Sequence, residues 1–158
     1  MRLRFLASWL FPLVFLACWS GEAGMKELDL TDHGLPIRII APDSAVVQEK
    51  DYHFMRDITV RKGEQYFLQI FEFAAPRQDA AGEKLRQLSA VKEDPFFKEI
   101  IREDDQGFIF SKMADSTRID YDFRYVRILG GKELIFQAGL VGSFTLEDVN
   151  RMYNGVKG

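Results

Sequence analysis

Asp120, Asp122 and Arg124 alternate with Ile119, Tyr121, Phe123 and Tyr125, and Asp57, Thr59 and Arg61 alternate in the same way around Ile58 and Val60. In a β-strand such alternation sends the apolar set to the core and the charged set to the other side of the sheet. The five charged residues Asp57, Arg61, Asp120, Asp122 and Arg124 therefore form a candidate binding face. Two carboxylates at this spacing have a second chemistry open to them, acid and base work as in glycoside hydrolysis. The alternative reading is thus a small hydrolase or ligand-processing enzyme that uses the acidic sheet face. Opposite charges beside Asp120 and Asp122 fit a solvated face with cross-strand ion pairs better, and no catalytic residue is assigned.

The other polar clusters point to less. His33 and His53 are the only imidazoles; Asp29, Asp32 and His33 are metal-ligand types, but no framework in the sequence orients them. Glu103-Asp104-Asp105 lacks the alternating spacing and internal glycine of a calcium loop. The chain has no glycine-rich phosphate loop, no serine elbow and no HExxH, and Ser89, Ser111 and Ser143 have no imidazole base beside them in sequence. No metal and no cofactor is expected.

Cys18 is the single cysteine, and it closes an apolar run (FLASWLFPLVFLACW) that follows Arg2 and Arg4. A basic start, a run shorter than the ~20 residues of a membrane span, and small polar residues after it make a secretory leader. Two processing routes stay open. Phe15-Leu16-Ala17-Cys18 resembles the lipobox of bacterial lipoproteins, with Cys18 as the lipid attachment residue; the other route is ordinary cleavage after Ala23, with Gly21 and Ala23 as the small pair. Residues 1–18 hold two arginines and no acid, so removing them moves the balance from 21 basic against 24 acidic residues to 19 against 24. An acidic exported domain is a poor match to phosphates, which argues against nucleic acid. With no cysteine beyond Cys18, the domain has neither disulfide nor thiolate metal site to stabilise it and depends on its core.

Residues 19–34 read as a tether, and 35–158 as one α+β domain. Residues 36–42, 53–62 and 65–73 read as strands, the last two joined at Gly63-Glu64. Residues 79–93 switch to helical spacing, with Leu85, Leu88 and Val91 as the apolar stripe. After Pro95, residues 96–104 repeat Phe96 with Ile100 and Phe97 with Ile101, which predicts a second helical piece. Strands follow over Gly107–Met113, 118–129 and 132–140, with Gly130-Gly131 as a hairpin turn. Thr145 with Asp148 predicts a capped helix carrying Leu146, Val149, Met152, Tyr153 and Val156. The order β-β-β-α-β-β-β-α predicts a sandwich, a twisted and mainly antiparallel sheet of about six strands with helices packed on it.

Gly34-Leu35-Pro36-Ile37 leading into a strand that ends at Pro42, the long hairpin, the central helix, and Gly130-Gly131-Lys132 before the last helix together resemble the Mog1/PsbP-like fold family over roughly residues 34–157. The resemblance implies a scaffold for binding or assembly, with no catalytic residue to transfer. The expectation is an exported bacterial envelope protein, lipid-anchored or else soluble after export. It would act as a non-enzymatic binding or assembly module, with the membrane and an envelope protein or small ligand as partners.

Overall fold

The computed structural model describes residues 24–75 and 78–158. The expected leader with Cys18 and the candidate cleavage position after Ala23 lie outside them. The fold is α+β. Among the described residues nine strands run β1 (Met25–Asp29), β2 (Arg38–Pro42), β3 (Val46–Asp51), β4 (Arg56–Lys62), β5 (Tyr66–Ala74), β6 (Phe97–Glu103), β7 (Gly107–Met113), β8 (Ile119–Leu129) and β9 (Lys132–Ala138). Helix α1 (Ala80–Glu93) falls between β5 and β6, and α2 (Leu146–Lys157) closes the chain. Seven strands form one antiparallel sheet in the order β3-β4-β5-β9-β8-β7-β6, and β1 and β2 make a separate hairpin.

The sheet is covered on both sides because its strands are apolar in both phases. On β7, Ile109 joins a large core with α2 and the β1–β2 hairpin, while its neighbours Phe108 and Phe110 join a smaller one with Leu88 and Val91 of α1. Successive strand residues point to opposite faces, so the two cores lie on opposite sides of the sheet. In the larger core, Val149, Met152, Tyr153 and Val156 of α2 are fully buried against Phe123, Tyr125 and Phe136. Burial of each such side chain contributes roughly 1.5–3 kcal/mol. The helix starts where expected. Thr145 Oγ1 accepts from the amide of Asp148, and the Asp148 carboxylate accepts from the amide of Thr145. Gly130 and Gly131 both hold positive φ, 58° and 78°, as a tight hairpin turn requires.

Four expectations need correction. Residues from Met25 onward are not a tether: β1 pairs with β2 along its whole length, and Leu30 is fully buried, so the domain begins about ten residues earlier than its composition suggests. Strand β3 was hidden by its charge, since an edge strand needs no apolar face. Residues 97–103 form a strand, not a helix. Two register shifts against β7 let Phe97 and Ile100, three apart, pack on the same core, and a bulged strand thereby imitates helical spacing. On α1 the inward residues are Lys84, Leu88 and Val91, while Leu85 is exposed.

Candidate functional site

The α1 face of the sheet contains the site. Pairing register fixes which side chains share it: Phe108 opposes Arg124, Phe110 opposes Asp122 and Lys112 opposes Asp120. Across the sheet, Val126 opposes Ile135, Ile135 opposes Phe71 and Phe71 opposes Asp57. Asp57, Arg61, Asp120, Asp122 and Arg124 thus project on one face, opposite the larger core. They do not form one cluster. Between β4 and β8 lie β5 and β9, and three inter-strand steps are at least about 14 Å.

The β8 group is not solvated. Asp120 and Asp122 are only 6% and 4% exposed. The cause is a split in the sheet: the β8–β9 ladder extends to the Tyr125–Phe136 pair and not beyond it. There the Asp122 carboxylate takes the place of backbone acceptors. Its Oδ1 accepts from the amides of Phe123 (2.7 Å) and Ala138 (3.1 Å), and its Oδ2 lies 3.2 Å from Lys112 Nζ and 3.1 Å from Arg124 Nη1. Arg124 in turn donates to the carbonyl of Phe123 at 2.7 Å and stacks 5.4 Å over the Phe110 ring. Asp120 accepts from Ser143 and lies 3.6 Å from Arg118. These charges hold together a seam that the segment after β9 crosses, where the amide of Tyr121 bonds the carbonyl of Phe144.

The β4 group is different. Asp57 is half-buried at the floor of a cavity of about 230 Å³ over β3, β4 and β5, with Gln48, Lys50, Thr59, Phe67, Gln69, Leu140 and Val141 as its other walls. Gln69 is itself buried and orders the floor: its Nε2 donates to Asp57 Oδ2 at 2.8 Å, and its Oε1 accepts from the amide of Leu140 at 3.2 Å. Asp57 Oδ1 is enclosed and has no donor among the described residues. Arg61 stands at the edge, its Nε bonded to the Gly63 carbonyl and its guanidinium 5.0 Å from the centre of the Phe67 ring.

Leu140 and Val141, 73% and 78% exposed, overhang this cavity in a loop bracketed by glycines. A Cβ on Gly139 would meet the Phe67 ring at 2.3 Å, and Gly142 has φ +131°, so side chains at either end would displace the loop. The sequence reading missed this loop and Gln48, Lys50, Phe67 and Gln69. Its signals were an apolar pair between two glycines and a glutamine inside an aromatic strand.

The other polar clusters singled out in the sequence are paired within the protein. The Asp29 carboxylate accepts from Thr31 and Arg38, which hold its pKa below the usual range, and His33 faces Glu49 at 3.4 Å. Around Glu103 and Asp104, Lys84 donates to Glu103 (2.5 Å) and Lys157 to Asp104 (2.7 Å), so lysines occupy the places a cation would take. Glu133 is a carboxyl group shifted upward, by burial and then by the charge of Glu83 against an opposing Arg86, and it lies under α1, away from the cavity. No helix among the described residues is long and apolar enough to cross a membrane. No family model, curated protein or solved structure matches the chain.

Proposed function

We propose that this protein is a non-enzymatic binding module of the bacterial envelope, exported by its leader and held by lipid on Cys18, on a Mog1/PsbP-like scaffold. The observation that carries the binding reading is the cavity around Asp57. It combines a polar floor, where Asp57 is bonded by the buried Gln69, with an exposed apolar overhang of Leu140 and Val141. A carboxylate at the floor of such a cavity favours an occupant that brings a donor, since a hydrogen bond to a charged group contributes about 1.5–3 kcal/mol. The occupant is therefore a small molecule, or a side chain of an envelope protein, with an apolar body and a hydrogen-bond-donating head. The hydrolase alternative has less support, because Asp120 and Asp122 are both engaged in the seam.

The test places a photo-crosslinking residue at Gln48, inside the cavity, and at Glu147, which is exposed on α2 on the other side of the sheet. In native envelopes the probe at 48 should give a discrete adduct that Thr59→Trp, which fills the cavity, removes. The probe at 147 should not. Equal adducts from both positions, or an adduct indifferent to Thr59→Trp, would reject the cavity as the binding site.

A further inference from the structure

The strands sort the exposed apolar side chains by end. Met25 pairs with Pro42, β3 starts at Val46 opposite Arg61, β9 ends beside Leu68, and Met113 opposes Ile119. The amide of Met113 also bonds the carbonyl of Phe96. One end of the sheet therefore carries Val46, Phe96, Met113, Ile119, Leu140 and Val141, between 40% and 78% exposed. Gly24 stands at this same end, its carbonyl bonded to the amide of Asp43, so the chain from the leader enters here. Arg61, Lys62 and Lys98 add positive charge at this end and form no salt bridge among the described residues.

From this we infer that this end of the sheet is a docking surface for the lipid bilayer to which Cys18 is attached. The inference rests on the lipid-anchor reading. Six residue steps separate Cys18 from Gly24, and whatever their conformation they span at most about 21 Å. The eleven residues of β8 alone run about 34 Å toward the opposite end. The opposite end, with Phe54 at 75% exposure beyond about 17 Å of paired β3, is thus the one farther from the anchor. The near end is held within that span of the surface. Apolar side chains held there enter the boundary between headgroups and acyl chains, and lysine and arginine beside them are drawn to anionic headgroups by about 1 kcal/mol each.

The test uses the full-length protein, purified with its anchor and reconstituted in vesicles of phosphatidylethanolamine and phosphatidylglycerol. Val141→Cys and Phe54→Cys are each labelled with an environment-sensitive dye, since a lipidated Cys18 has no free thiol. The label at 141 should shift to the blue and be quenched several-fold more by nitroxide lipids than the label at 54. Lipidated protein in which both labels report water would overturn docking while leaving the anchor in place. A mass without lipid at Cys18 would overturn the anchor and docking together. Shielding at 141 in whole envelopes but not in vesicles would also overturn it, and would assign this end to a protein partner.

Discussion

Asp122 serves as backbone for two strands that have parted, and its cost of removal follows from that. Asp122→Ala would leave the amides of Phe123 and Ala138 without an acceptor and Lys112 and Arg124 without a counter-charge. Breaking a buried charge pair in this way costs about 3–5 kcal/mol. Asp122→Asn keeps an acceptor oxygen and should lose less, and Asp57→Ala, which frees only the Gln69 donor at the floor of a cavity, should lose about 1–2 kcal/mol. Urea unfolding of the three variants checks the ranking; equal midpoints for Asp122→Ala and Asp57→Ala would contradict the account of the seam. The sequence displayed which face Asp122 occupies, because parity along a strand is local. It did not display burial, because the split that draws the carboxylate inward depends on where the chain after β9 crosses back to β8.

At the scale of elements, the seating of α1 on the sheet includes two carboxyl groups and a guanidinium. Glu133 on β9 lies under the helix with its pKa raised, by burial and by Glu83. Burial also raises Glu83, but hydrogen bonds from Arg86 and Gln87 outweigh it and hold Glu83 below its ordinary value. Between the ordinary carboxylate value, about 4.3, and the raised one, folded Glu133 keeps a proton that the unfolded chain has released. Stability therefore falls as pH rises through that window. Glu83 acts in the opposite sense at lower pH, its contribution being lost as pH falls through its depressed value. Glu133→Gln should remove the fall and leave the variant more stable than the native chain at neutral pH, by roughly 1 kcal/mol. Urea midpoints from pH 4.5 to 8 read this directly, and parallel profiles for both proteins would show that Glu133 does not sense α1. The contrast between α2 and β6 shows what kind of element is legible. Helix α2 announces itself through Thr145, Asp148 and an unbroken stripe, all local features. Strand β6 is misread because its bulges depend on β7, a partner its own residues do not specify.

For the whole molecule, the larger core joins the two ends of the described chain. Leu30, Leu35 and Ile39 from the start of the domain share it with Met152 and Val156 from its last helix. A chain beginning at Gly24 should unfold cooperatively and be indifferent to added thiol, because no cysteine follows Cys18. A chain beginning at Gly34 lacks β1 and Leu30 and should lose about 2–4 kcal/mol, for the buried leucine and the unpaired flank of β2. Thermal unfolding of the two distinguishes them, and matching transitions would mean that the N-terminal hairpin is ornament. The meeting of the two ends in one core also sets an order of events. A protein is made from its N-terminus, and here the central strand β5 pairs with β9, while the hairpin waits for a helix that follows every strand of the sheet. Nothing translated before α2 can close the larger core. Until α2 is made, Leu30, Leu35 and Ile39 have no helix to cover them, so the early hairpin must remain open while the seven-stranded sheet assembles around it.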